Sequence, residues 1–327
     1  MTDTIPIIDV ADALAGIHGG IESAATQVRD ALTTVGFFIM TGHGVPRTQI
    51  DRSFAAVARL HRLRVERKLA LKMNAHNNGY MTMGRYAVWT SDVNDNDRPD
   101  LNEAFFIRKE RPADDPVYMS GRRFLGPNQW PEEDDLPGFR DEVLKYMHTL
   151  ETLSHRFLPI AAMALNLEPD WFDMAFDDSY YILRMSHYPP VKAEVNQFGI
   201  APHTDANFLT YLPLTEVPGL QVRMPDGSWQ DVPYVPGAFA VNSGDMVKRW
   251  SNGFFKSTPH RALPPTDRDR YALPFFFGPS WDATIECLPT CCGPNNPPQW
   301  PATTYGEWMT SWYDANYDHK AQNFAVP

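Results

Sequence analysis

Cysteine is scarce. Cys287, Cys291 and Cys292 are the only three among 327 residues. An odd number, clustered late in the chain, is no disulfide framework and points to a reducing compartment. No second cysteine pair exists to complete a thiolate metal site, so the three read as ordinary loop residues. A basic block is also missing. Lys and Arg total 29 against 40 Asp and Glu, a net charge of −11, which argues against nucleic acid or an anionic membrane surface as a partner. No stretch approaches the ~20 apolar residues of a membrane span. The opening "MTDTIPIIDVADALAG" has neither the basic flank nor the apolar run of a signal peptide, so a soluble, cytoplasmic protein is expected. With no Gly-rich linker, internal repeat or low-complexity segment, residues 1–327 are expected to form one domain. The hydrophobic content of 43% supports a sizeable core.

What is present divides into three parts. Residues 1–180 are mostly helical in pattern, with helices expected over Ile21–Thr34, Arg47–Arg64 and Phe139–Leu167. In the last of these Phe139, Val143, Met147, Leu150, Leu153, Phe157, Ala161 and Ala164 keep to one face. Strands are expected at "IPIIDV", "GFFIMTGHGV" and "EAFFIR". From Tyr181 to about residue 290, short β-like runs alternate with turns such as "PDG" and "NSGD", the pattern of an antiparallel sandwich or jelly-roll barrel. Residues 291–327 form a tail with a helix over Thr303–Ala315. The fold class expected is α+β, mainly β, with helical additions before and after the β core.

One stretch of the core carries chemistry. In "APHTDANFLTYLPL" (Ala201–Leu214) His203 and Asp205 stand two residues apart, and in a strand such residues face the same side. Two such ligands need a third, placed so that other coordination positions stay open for cosubstrate and dioxygen. His260 in "FFKSTPHRAL" fits best. His43 lies in a Gly turn, His61, His148 and His155 lie on helical stretches, His76 and His319 lie in polar context, and His187 precedes a Pro pair. Spacing alone leaves a metal site and a set of structural histidines equally open. Arg270 adds weight. It begins the apolar run "RYALPFFF" ten residues after His260, and a guanidinium there is costly to bury without an anion. It suits a carboxylate held bidentately; pairing with one of the many Asp or Glu residues is the other reading.

At this point the chain resembles the isopenicillin N synthase-like, 2-oxoglutarate- and Fe(II)-dependent oxygenases. The resemblance runs through "IPIIDV", "GFFIMTGHGVP", "VPGLQV", "GSWQDVPYVPGAFAVNSGDMVKRWSNGFFKSTPHRAL" and "RYALPFFFGPSWDATI", while "DLNEAFFI" and "PNQWP" resemble its bacterial members. It implies a double-stranded β-helix with Fe(II) held by His203, Asp205 and His260. Arg270 and Tyr188 would bind 2-oxoglutarate, with Ser186 where many members have Asn and Phe276 facing the substrate. Residues 79–106 and the C-terminal helix, with Trp308, Trp312 and Tyr313, are lid candidates. The implied reaction uses dioxygen to oxidise a C–H bond of a small metabolite by hydroxylation, desaturation or cyclisation, releasing succinate and carbon dioxide; a monomer is the default. The family's usual Arg-x-Ser reads Arg270-Tyr271-Ala272 here. The missing hydroxyl keeps open an Fe(II) enzyme of the same fold that does without 2-oxoglutarate. A zinc hydrolase on the same three ligands is the second class; it would leave Arg270 without a task.

Overall fold

The computed structural model describes residues 4–84, 88 and 90–316. His319 and part of the expected lid segment, residues 85–87 and 89, lie outside the described residues. In the N-terminal half the strands are β1 (Ile7–Asp9), β2 (Phe37–Thr41), β3 (Gly79–Met81) and β4 (Glu103–Arg108). The core follows with β5 (Ser179–Tyr188), β6 (Ile200–His203), β7 (Leu209–Pro213), β8 (Leu220–Arg223), β9 (Trp229–Asp231), β10 (Phe239–Ser243), β11 (His260–Ala262), β12 (Arg270–Ala272) and β13 (Phe275–Ser280).

These strands make two facing sheets. The major one runs β1-β2-β10-β7-β13-β5-β4-β3, with β12 also paired to β5; the minor one runs β6-β11-β8-β9. Pairing is antiparallel throughout except for β1 with β2. The result is the jelly-roll core expected from the sequence. The ten-residue β5 is its backbone, bonded to β4 along one edge and to β13 and β12 along the other. It is buried almost end to end. Ile5, Phe37, Ile39, Val222 and Met224 join in a small apolar cluster of their own, drawn mainly from β2 and β8.

The helices lie against the major sheet. The longest spans Phe139–Ala164 and buries the apolar face seen in the sequence. It ends three residues earlier than expected, and Asn166 takes a left-handed φ of 58°. Arg29, on the Gly20–Thr34 helix, explains the stop. Its Nε and Nη2 donate to the carbonyls of Ala164 and Met163, each at 2.8 Å, the second of which also accepts from the Asn166 N–H at 3.0 Å, and this places a cation at the helix's negative end. The expected Arg47–Arg64 helix ends at His61, and a separate turn of helix covers Val65–Ala70. The break lets Lys68 fold back, so that its Nζ donates to the His61 carbonyl at 3.2 Å and to Glu103 at 2.7 Å. The C-terminal helix runs Tyr305–Asn316. No helix among the described residues is long and apolar enough to cross a membrane.

Candidate active site

β6 and β11 are neighbours in the minor sheet, and His203 and His260 are directly paired across them. Their rings lie 4.3 Å apart between centroids. Asp205 is not on the strand face, as the two-residue spacing suggested. β6 ends at His203, and Asp205 lies just beyond the strand, close to both rings. Its Oδ1 is 3.8 Å from His203 Nε2 and 3.7 Å from His260 Nε2. The three form a group that could hold a metal ion.

The surroundings prepare these atoms for that task. His203 Nδ1 lies 2.8 Å from the Ala201 carbonyl, and His260 Nδ1 lies 3.1 Å from the Thr258 carbonyl. A carbonyl can only accept, so each Nδ1 carries the proton and each Nε2 presents its lone pair inward. Burial, reinforced by the neighbouring His260, pushes the His203 imidazole down to about 3, so it is neutral and able to ligate near pH 7. Asp205 is also buried, which by itself favours the acid. The adjacent imidazoles and two hydrogen bonds outweigh that and hold the carboxyl below its usual range. Those bonds come from Thr210 Oγ1 at 2.6 Å and Asn242 Nδ2 at 2.8 Å, both to Oδ2. Oδ1 is left for a metal.

An inner cavity opens between the two sheets beside this group. Arg270, the first residue of β12, lines it from the major sheet together with Tyr188 at the end of β5. The Arg270 guanidinium lies over the Tyr188 ring, 4.9 Å from its centroid. Arg270 is 5% exposed, and its Nε and Nη1 are buried without a hydrogen-bond partner. Among the described residues no carboxylate pairs with it. A buried cation with open donors is a site prepared for an anion. Ala272 lines the same cavity. Ser186 is fully buried with an unpartnered Oγ, and it is not among the residues lining the cavity.

A second, outer cavity adjoins the first. His203, Asp205, Arg184 and Phe276 line both. Phe106, Tyr305, Met309, Trp312 and Tyr313 line only the outer one, so the C-terminal helix covers it. Trp308 is not in the lining. It fastens the helix instead, its Nε1 donating to the Ala206 carbonyl at 2.9 Å. His187 lies apart from the metal group. Its Nδ1 and Nε2 each lie 2.8 Å from a carboxylate oxygen, of Glu103 and Asp269 respectively. Sequence reasoning missed Thr210, Asn242, Arg108 and Arg184. Asn242 reads as part of a turn in the sequence. Arg184 interrupts the apolar run "YYILRM", the same signal that singles out Arg270.

Comparison with known proteins bears on the family of the chain. Residues 179–279 match the 2OG-Fe(II) oxygenase superfamily, and residues 5–133 match the non-haem dioxygenase in morphine synthesis N-terminal family. The chain is 34% identical over 319 residues to the 2-oxoglutarate-Fe(II) type oxidoreductase hxnY of Emericella nidulans, covering 95% of this chain and 90% of that one. The crystal structure of a full-length Neurospora crassa protein in complex with alpha-KG and thymine superposes with a TM-score of 0.83 at 26% identity, over 96% of this chain and 98% of that one. That of JOX2 in complex with 2OG, Fe and JA superposes with a TM-score of 0.75, also at 26% identity, over 94% of this chain and 84% of that one. These relatives favour the 2-oxoglutarate-dependent reading over an enzyme that does without the cosubstrate, despite Ala272. The chain belongs to the 2OG-Fe(II) oxygenase superfamily and is a 2-oxoglutarate- and Fe(II)-dependent oxygenase.

Proposed function

We propose that His203, Asp205 and His260 hold the iron, that Arg270 and Tyr188 hold the far carboxylate of 2-oxoglutarate in the inner cavity, and that the prime substrate binds in the outer cavity against Phe276. The observation that carries this reading is the buried Arg270 guanidinium with two unpartnered nitrogens, in the same cavity as the three converging ligand atoms. When bound, the iron supplies dioxygen activation coupled to oxidative decarboxylation of the cosubstrate to succinate and carbon dioxide.

The chain's own residues do the rest. Thr210 and Asn242 fix the Asp205 carboxylate so that one oxygen stays free. The carbonyls of Ala201 and Thr258 keep both imidazoles in the ligating tautomer. Arg270 and Tyr188 anchor the cosubstrate at one end, the Tyr188 hydroxyl taking the task that a serine at 272 would perform. The C-terminal helix covers the outer cavity and excludes bulk water, so that a reactive centre meets its substrate rather than solvent. The chain is read as a single oxygenase domain over 1–327 that acts as a cytoplasmic monomer on a small molecule rather than on nucleic acid or a membrane; the net charge of −11 supports the exclusion of polyanionic partners.

The test is an anaerobic titration of the Fe(II)-loaded protein with 2-oxoglutarate, following the visible charge-transfer band of the chelate. A saturable band is expected in the wild type. In Arg270→Met the titration should need at least about tenfold more 2-oxoglutarate, because a hydrogen-bonded, buried charge pair is lost. An unchanged titration in that variant would remove Arg270 from the cosubstrate site.

A further inference from the structure

Arg184 is the second buried guanidinium beside the ligand group. It stands in the middle of β5, 6% exposed, and a guanidinium cannot shed its proton to escape burial. Its Nη2 donates to Asn102 Oδ1 at 2.7 Å, and Asn102 is itself fixed by donating to the Gly199 carbonyl at 2.7 Å. That partner is neutral. The Arg184 Nε is buried without a partner, and among the described residues no carboxylate forms an ion pair with Arg184. Asp100 is near enough to feel its charge, but the Asp100 carboxyl is turned to the Ala201 N–H at 2.9 Å and is pushed up by burial to about 7.

Its position says what the charge is for. Arg184 lines both cavities, as His203, Asp205 and Phe276 do, so it stands in the wall between cosubstrate and substrate. Its guanidinium lies 5.4 Å from the centroid of Phe106, a residue of the outer cavity alone. Arg108 brings a further cation to the outer cavity. Its partners are Tyr180, Asn78, the Asn77 carbonyl and Tyr313, all neutral. Among the described residues the only carboxylate in the outer lining is Asp205, which faces the metal position. Between these charges the walls are mainly apolar and aromatic, with Met73, Val88, Ile182, Phe276, Met309 and Trp312, and the amides of Asn77 and Asn207 add polar points.

We propose that the prime substrate is a carboxylic acid with a flat, apolar body, and that Arg184 is the specificity-determining residue that receives its carboxylate. Arg108 adds positive potential, since most of its donors are already used, while Arg184 supplies the open Nε. The body stacks on Phe276 and Phe106 under the C-terminal helix, which brings a carbon near the acid group to the metal side of the cavity. The inference rests on the site assignment proposed above. The rival use of Arg184 is as a second ligand for 2-oxoglutarate itself.

The test uses the full chain and two readouts. Binding of benzoate, phenylacetate, 3-phenylpropanoate and cyclohexanecarboxylate, each beside its primary amide, is followed by quenching of tryptophan fluorescence, since Trp312 lines the cavity. This needs no iron. Cosubstrate binding is followed separately by the charge-transfer band. Acids are expected to bind the wild type at least about tenfold more tightly than their amides, as a charged pair in a buried site should. Arg184→Met should abolish that preference and Arg184→Lys should keep part of it, so a folding defect in one variant does not decide the matter. No preference for acids in the wild type, or a preference that survives in Arg184→Met, overturns the proposal. So does a loss of 2-oxoglutarate binding in Arg184→Met as large as that in Arg270→Met, which would assign Arg184 to the cosubstrate. Absence of the band in the wild type would instead overturn the site assignment, a result the fluorescence comparison does not share.

Discussion

Replacing Thr210 by valine tests whether the environment of Asp205 is built for a metal. Thr210 is 3% exposed, and its hydroxyl lies 2.6 Å from Asp205 Oδ2. Valine keeps the shape of threonine and removes only the donor. A hydrogen bond to a charged group contributes about 1.5–3 kcal/mol, and loss of an outer partner of a metal ligand lowers metal affinity by about 10–100-fold. Asn242 still donates to the same oxygen at 2.8 Å, so the lower end applies. Fe(II) affinity should fall by about tenfold in Thr210→Val and by more in the double variant with Asn242→Ala. The assay is anaerobic competition for Fe(II) against a chelator of known affinity, with thermal melting of the metal-free protein as a control for folding. If both variants bind Fe(II) within about twofold of the wild type, well short of the loss expected for an outer partner, Asp205 is not held for a metal by these two groups and the reasoning fails.

Further predictions concern the cosubstrate and the buried network behind it. Ala272→Ser should tighten 2-oxoglutarate binding by about tenfold, the low end of the worth of one added hydrogen bond to a carboxylate; a weaker titration of the charge-transfer band would show that the cavity is adapted to the methyl group. Lys68 pairs with Glu103 at 2.7 Å where both side chains are about nine-tenths buried, and Glu103 keeps His187 and Tyr80 as partners, so Lys68→Met removes one charged hydrogen bond and should destabilise the fold by about 1.5–3 kcal/mol, read as a lower urea midpoint. His187 supplies a pH dependence. Burial lowers its pKa, but the Glu103 and Asp269 carboxylates outweigh burial and raise it above 6.5. Its contribution to stability is therefore complete below about pH 6.5 and fades as pH rises through the higher folded value. The gap in Tm between wild type and His187→Gln should be wider at about pH 6 than at about pH 9, and a constant gap would count against a charged His187.

How much of this was legible beforehand depended on the range of the interaction. Local patterns carried the elements: turn residues between short β-like runs marked the core strands, and the apolar face of Phe139–Ala164 marked the long helix. Helix ends were misjudged where a distant side chain decides them, as Arg29 does at Ala164 and Glu103 does through Lys68. The chemistry of single residues carried the candidates at the site, because a histidine, an aspartate and a lone arginine in an apolar run each have few uses inside a core. Their convergence belongs to tertiary structure alone. His203 and His260 meet because β6 and β11 are hydrogen-bonded neighbours, and Asp205 joins them from just past the end of β6. Arg184 and Arg270 stand on the other sheet, and only the facing of the two sheets makes them walls of the same cavity. The sequence by itself determined which side chains would be costly to bury; the fold decided what each of those costs is set against, since burial and partner are properties of neighbours that lie far apart along the chain.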